Sequence, residues 1–440
     1  MIRNMRAALV GVLMMLVLSI GAASAQDTIV IDFYFPQAVD GPIAEAMERY
    51  AAEFEAQNPN IDINPVYTGS YNQTRDTILA EGMELQVDVA VMLAIDLLSF
   101  IEGGTIVPAQ RFIDQMEDGQ AYIDDIFPAF LANSIGPDGE VWSIPFQRST
   151  PIMFYNADLL AEAGLDVPTN NEELIAVAQA LTTEDRWGLL VPVAGVFPSW
   201  MFQSFAAAYG QPLTIAEDPT SVFLNTPEAL EAVQFVTRLG MSVEEGGFGV
   251  GPMGGSAWGD TPTAFTAGQA AMIYHTTGSM TSILENADFE VGVAFLPSGP
   301  AGEDGTGYGS PTGGGNIYIF DDGTKSDAEL QAAWEWIRFL STPEIQSDWG
   351  AITGYIAAFQ SAWEVDPLAS LVEEFPQYGI ARDHLAVSTM EFSAFRTIDL
   401  QNIINTQLSR IISGEVSLDQ AADTLAEAQA QIDSILADYR

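Results

Sequence analysis

Between residues 28 and 104 two hydrophobic periods alternate, and that alternation limits the possible folds more than any other feature of the chain. Thr28-Ile29-Val30-Ile31-Asp32-Phe33-Tyr34-Phe35 is a β-branched and aromatic run ended by Pro36. Pro42 then opens a segment in which Ile43, Met47, Tyr50 and Phe54 recur at helical spacing, until Asn58-Pro59 stops it. A second strand, Ile61 to Tyr67, leads to a helix over Tyr71–Glu81. A third strand, Val87–Met92, leads to a short helix closed by Gly103-Gly104. Strands that alternate with helices in this way build a parallel sheet covered by helices, because parallel neighbours need crossover connections.

Farther along, Gly136-Pro137-Asp138-Gly139 is a tight turn between a helix over Asp124–Ser134 and a strand at Val141–Ile144. A strand at Ile152–Tyr155 follows, then helices over Asn171–Leu181, Ser199–Tyr209 and Pro227–Leu239, the last with Pro at its first position. Residues 242–262 are Gly-rich and read as irregular. Strands return at Ala270–Tyr274, Val291–Phe295 and Asn316–Phe320, and the end is helical over Asp327–Leu340, Pro343–Trp349 and Ser417–Tyr439. Ser417 and Gln420 have the spacing of a capping box, and Leu418, Leu425, Ile432 and Ile435 form the stripe of that last helix. No repeat of solenoid or propeller period is present.

The 440 residues carry 60 Asp+Glu against 14 Lys+Arg, a formal net charge of −46, and no Cys. Nucleic acids and anionic lipid surfaces are excluded as non-specific partners, since such binding rests on Lys and Arg neutralising phosphates. The missing Cys removes disulfides, thiolate nucleophiles, iron–sulfur clusters and Cys-ligated zinc. The acidity reads as a strongly hydrated, soluble exterior, suited to salt that screens self-repulsion. Residues 1–25 stand apart: Arg3 and Arg6, an uncharged apolar run from Leu9 to Ile20, and Ala23-Ser24-Ala25 make a signal peptide cut before Gln26. The cut site has no Cys to take a lipid anchor, which leaves an exported protein free in the periplasm.

Most catalytic motifs fail on context. Gly249-Val250-Gly251-Pro252-Met253-Gly254 has the letters of a dinucleotide fingerprint, but no strong strand precedes it and Pro252 interrupts the turn. No Walker sequence precedes Lys325. His275 and His384 are too few and too distant for a metal cluster, and no Gly-x-Ser-x-Gly elbow exists. Two segments hold more chemistry. Pro145-Phe146-Gln147-Arg148-Ser149-Thr150-Pro151 puts an Arg and two hydroxyls in a Pro-braced connection between strands. His275-Thr276-Thr277-Gly278-Ser279-Met280 puts hydroxyls where a strand ends and a helix begins, which suits either an anionic oxygen or a purely structural cap.

Together these segments resemble the extracellular solute-binding proteins of ABC importers, family 1, in particular the glycerol-3-phosphate-binding branch. The most specific stretch is Val141-Trp142-Ser143-Ile144-Pro145-Phe146-Gln147-Arg148-Ser149-Thr150-Pro151-Ile152-Met153-Phe154-Tyr155-Asn156, then Ala163-Gly164-Leu165-Asp166-Val167-Pro168. Gly69-Ser70-Tyr71, Phe265 to Met272, Thr277-Gly278-Ser279, Gly313-Gly314, Thr353-Gly354-Tyr355 and Ala394-Phe395-Arg396 follow in order, so the likeness spans nearly the whole chain after the leader.

The resemblance implies the type II two-lobe α/β fold, each lobe a mainly parallel sheet flanked by helices, with the ligand in the cleft. It places lobe 1 at 26–136 plus about 281–326, and lobe 2 at 137–280 plus about 327–440. It assigns Tyr71, Ser149, Ser279, Gly314, Tyr355 and Arg396 to the ligand, with Arg396 foremost for an anion, and needs no catalytic residue, metal or cofactor. Two departures alter the hydroxyl-reading half. The family Glu after the third strand corresponds to Met92-Leu93-Ala94-Ile95-Asp96, where Asp96 is the substitute, and the family Trp falls near Asn171. The expected ligand is glycerol-3-phosphate or a related glycerophosphodiester or phosphorylated polyol, passed by a monomer to a membrane permease with a separate ATPase. Two alternatives stand beside it. One is a neutral mono- or oligosaccharide stacked on Trp142, Trp187, Trp200, Trp258 or Tyr355. The other is a secreted glycoside hydrolase.

Overall fold

The protein is described from a computed structural model covering residues 28–440 except 38, 40, 83, 196–197, 216–217 and 301–309. The leader read at 1–25 lies outside the described residues. Among the described residues ten strands make two sheets: β1 Ile29–Phe35, β2 Ile61–Tyr67, β3 Val89–Leu93, β4 Ile106–Val107, β5 Ile144–Ser149, β6 Pro151–Asn156, β7 Trp187–Leu190, β8 Ala270–Thr276, β9 Val291–Ala294 and β10 Gly313–Phe320. The first sheet runs β2-β1-β3-β10-β4, with β5 also on β10, and the second runs β7-β8-β6-β9.

The first β-α-β-α-β unit forms as its periodicity requires. β1 pairs in parallel with β2 and β3, and the helix Ile43–Gln57 buries Ile43, Met47, Tyr50 and Phe54 against them. Behind β1, Trp336 from the helix Asp327–Leu340 meets Phe33 and Phe54 edge-on at 5.5 and 5.3 Å. Three buried rings thus join the helix Asp327–Leu340 to β1 and the helix Ile43–Gln57.

The sheets are mixed, not mainly parallel. β10 runs antiparallel to β3, β4 and β5, and β6 runs antiparallel to β8 and β9. β10 returns from the second lobe, so it enters the first sheet from the opposite end without a βαβ crossover. The same pairings move the lobe boundaries. β5 belongs to the first sheet, whereas β9 belongs to the second. The helices Asp327–Leu340 and Pro343–Thr353 pack in the first lobe's core, expected in the second. The chain therefore crosses between lobes at Thr150, between β9 and β10, and after Phe359.

Local differences have local causes. The helix expected over Asp124–Ser134 is broken into Gly119–Asp124, Pro128–Leu131 and the turn Ala132–Ser134, because Pro128 lacks the N–H that continuation needs. Val141 forms only a bridge to Ile135, and the strand begins at Ile144. The capping box at Ser417 does not form: its hydroxyl meets the Gln420 side chain at 3.0 Å, and a turn at Leu418–Gln420 precedes the helix Ala421–Leu436.

Candidate functional site: the cleft between the lobes

A cavity of about 370 Å³ lies between the lobes and where their crossing strands meet. Tyr71, Asn72 and Arg75 reach it from the helix Tyr71–Glu81, which Ser70 and Gln73 start with a reciprocal capping box. Ser149, Gly314, Tyr355 and Glu391 form its floor at the crossings. Trp200, Trp258 and Thr276 close the far side with Gln401, Asn402 and Asn405, which share a face of the helix Thr397–Ile412.

Of the seven residues expected to bind ligand, Tyr71, Ser149, Gly314 and Tyr355 line this one cavity. The Gln147 side chain donates to Tyr355 Oη at 3.2 Å, and the Tyr355 ring stacks on Trp349 at 5.8 Å and 7°. Gly314 has φ +88°, and a Cβ there would stand 2.0 Å from the Gln147 carbonyl oxygen, so glycine alone lets β10 approach β5.

Asp96 stands one layer back, fully buried, with Arg75 Nη1 at 3.5 Å. Burial raises its carboxyl to about 6 against the pull of Arg75. Arg75, rather than Asp96, faces the cavity. Ser279 is outside the lining. Its hydroxyl is bonded to His275 Nδ1 at 3.0 Å and caps no backbone N–H, so the helix start at 277–280 offers no free anion cradle. Arg396 is also outside the lining, half-exposed, with Nε on Asp399 Oδ2 at 2.8 Å. The Gly249–Gly254 segment spends its donors internally, with Gly249 N–H on the Met241 carbonyl and Val250 and Gly251 N–H on that of Leu239.

Arg148, expected in the connection between two strands, belongs to a strand itself. It is fully buried in β5 and donates to the Gly314 carbonyl at 3.3 Å, Asn316 Oδ1 at 3.2 Å and Thr312 Oγ1 at 3.1 Å, over the face of Phe130. Burial lowers its pKa to about 10, with Glu391 opposing that shift. Glu391 was not anticipated at all. Burial raises its carboxyl to about 8, Arg148 pulls it back and Asp96 pushes it further up. At neutral pH Arg148 is charged, Asp96 is mainly ionised and Glu391 is mainly protonated. Arg75 is the cation in the cavity lining, and Arg148 lies buried behind Gly314, on a chain of charge −46.

Trp200 Nε1 donates to the Thr312 carbonyl at 3.1 Å, and its ring meets that of Trp258 at 5.7 Å and 63°. Trp258 in turn lies 4.2 Å from the His275 ring, which burial keeps neutral with a pKa of about 4. Arg75, Glu391 and the amides of the Thr397–Ile412 helix were missed. The one available signal was a polar stripe, Gln401, Asn402 and Asn405, beside the buried Leu400, Ile404 and Leu408. Among the described residues no group of three His, Asp or Glu is placed to hold a metal ion, and no helix is long and apolar enough to cross a membrane.

The family model for the bacterial extracellular solute-binding protein matches residues 49–376. The sn-glycerol-3-phosphate-binding periplasmic protein UgpB of Pectobacterium atrosepticum is 25% identical over 430 residues, covering 93% of this chain and 92% of that protein. UgpB of Escherichia coli K12 is 24% identical, with 93% of each chain covered. Among solved structures, UgpB from Mycobacterium tuberculosis in complex with glycerophosphocholine superimposes with a TM-score of 0.77 at 21% identity, over 93% of this chain and 98% of that one. The maltose-bound MalE3 of T. maritima gives 0.76 at 19% identity, over 91% and 99%. Both likenesses concern the fold, the type II two-lobe arrangement.

Proposed function

The chain belongs to the bacterial extracellular solute-binding proteins, and from that premise we propose that it captures glycerol-3-phosphate or a related glycerophosphodiester or phosphorylated polyol. It hands the ligand, as a monomer, to the permease of an ABC importer driven by a separate ATPase. The observation that carries this reading is the Arg75 guanidinium in the cavity lining, with Arg148 buried behind Gly314, in so acidic a protein. A phosphate needs local donors, and forked guanidinium groups suit its geometry. The names of the UgpB relatives support the same ligand class.

In this reading Tyr71, Ser149, Gly314 and Tyr355 contact the ligand and Arg75 meets the anion, with Asp96 holding Arg75 in place. Arg396 lies two residues before Ile398 of the lining and joins after lobe closure. Ser279 acts through His275 and Trp258, not by direct contact. The protein catalyses no reaction, and it is exported by cleavage before Gln26, so the exported form begins at that residue.

Calorimetric titration of glycerol-3-phosphate, glycerophosphocholine and maltose tests the ligand class. Phosphate-dependent binding weakened by Arg75→Ala is the expected result. Binding of maltose alone, unchanged by Arg75→Ala, would overturn it. A neutral mono- or oligosaccharide is the second reading, favoured by the Trp200–Trp258 pair and the amide stripe, which offer stacking and hydroxyl partners without charge.

A further inference from the structure

We infer that Glu391 is a specificity-determining residue of the cleft, its carboxyl taking a hydroxyl group at the uncharged end of the ligand. The inference rests on the proposed binding function and adds the half of the site that the family's own Glu position, here occupied by apolar residues before Asp96, no longer supplies.

Glu391 and Tyr71 are the two lining residues that carry a buried polar atom without a hydrogen-bond partner, Oε2 and Oη respectively. Glu391 is 4% exposed. Its backbone is fixed on both sides: its N–H donates to Asn133 Oδ1 at 3.1 Å, and its carbonyl accepts from Asn133 Nδ2 at 3.2 Å. The N–H of Phe392 donates to Gln203 Oε1 at 2.6 Å, which ties the segment to the Trp200 helix of the second lobe. The carboxyl is thus anchored to both lobes at a crossing and has little freedom to swing into water.

No ion pair absorbs it. The two terminal nitrogens of Arg148 are taken by Gly314, Asn316 and Thr312, and among the described residues no salt bridge includes Glu391. The charged and titratable groups that act on it are Arg148 and Asp96, and it acts in turn on Tyr71 and Tyr318. An orphaned buried carboxyl is costly in the empty cleft, and a ligand hydroxyl removes that cost. A ligand hydroxyl can accept from the protonated carboxyl and also donate to its other oxygen, whereas a fully ionised phosphate can only accept and leaves that oxygen unpaired. The ligand is therefore oriented with its hydroxyls on Glu391 and its anion on Arg75. A site built to pair a hydroxyl rejects analogues that lack one, because the protein group is then left unpaired.

Glu391→Met keeps the volume and removes hydrogen bonding, whereas Glu391→Gln keeps it. Titration of the full exported chain with glycerol-3-phosphate and with ethyl phosphate, which lacks both hydroxyls, reads the effect. Glu391→Met should lose about tenfold in affinity for glycerol-3-phosphate and leave ethyl phosphate unchanged, and Glu391→Gln should stay within about threefold of the parent. Equal weakening of both phosphates in Glu391→Met, or none, with circular dichroism of the parent, overturns the inference. If the parent binds neither phosphate, the phosphate reading falls and ribitol and maltose become the probes: unchanged affinity in Glu391→Met then overturns the role of Glu391 as well. Should Glu391→Met fail to fold, Glu391→Gln decides, since a loss above tenfold in that variant contradicts a hydroxyl contact that an amide can make.

Discussion

Two arginines of one chain show how far residue type falls short of residue role. Arg148 is wholly buried on three neutral acceptors, and Arg396 sits half-exposed on Asp399. Replacing this buried cation leaves its three acceptors unpaired, so Arg148→Met should cost about 3 kcal/mol in urea unfolding. Arg148→Lys should recover little, since an ammonium cannot reproduce the fork. Arg396→Ala should stay within about 0.5 kcal/mol, as exposed pairs do. The sequence pattern could not separate the two, because every residue of β5 is buried and alternation gives no inward or outward parity there. Protonation sets a second test at this scale. Glu391 holds in the folded protein a proton that the unfolded chain releases near 4.5, so its contribution is full below that pH and is lost as pH rises through about 8. Asp96 acts alike between 3.8 and about 6. His275 and His384, lowered to about 4, act oppositely: their contribution is present above 6.5 and lost as pH falls through about 4. Above 6.5 Glu391 is the member of this set that still titrates, so the melting temperature of the empty protein should fall from pH 6.5 to 8.5. In Glu391→Gln that fall should flatten, and an unchanged slope would refute the assignment.

Elements were legible where one face decides them. β2 and the helices Tyr71–Glu81 and Asp327–Leu340 begin and end where their periodicity and punctuation say, since each buries one stripe between clear stops. β10 was read only from Asn316, because Gly313-Gly314-Gly315 carries no strand propensity. Those glycines are nevertheless the part that joins β5 and aims at the cleft. The antiparallel entry of β10 was equally hidden, for it depends on where the chain goes between strands and not on the strands. Gly314→Ala must strain a φ of +88° and push a methyl into the Gln147 carbonyl, 2.0 Å away. It should cost about 2 kcal/mol or more in guanidinium unfolding and weaken every ligand of the cleft. A loss confined to ligand affinity, at parent stability, would show that the β5–β10 ladder is not what the glycine protects.

At the scale of the whole molecule the charge of −46 and the cleft act in opposite directions on an anion. The long-range field repels it, whereas Arg75 in the cavity lining can hold it only after arrival. The Debye length falls from about 30 Å at 0.01 M salt to about 3 Å at 1 M, so added salt removes the repulsion well before it weakens buried contacts. Association of glycerol-3-phosphate should therefore speed up with salt, the reverse of ordinary electrostatic steering, while its dissociation changes little. A neutral sugar has no charge for that field to act on, and its association rate should be flat over the same range. Stopped-flow fluorescence reads both, because Trp200 and Trp258 line the cavity that the ligand fills. Salt also relieves self-repulsion of the folded chain and should raise its melting temperature without ligand, so the rates must be compared well below that temperature. A rate for glycerol-3-phosphate that falls with salt would mean that the approach to the cleft is itself positive. In that case the attraction lies in residues beyond the floor, and the half-exposed Arg396 becomes the first one to remove.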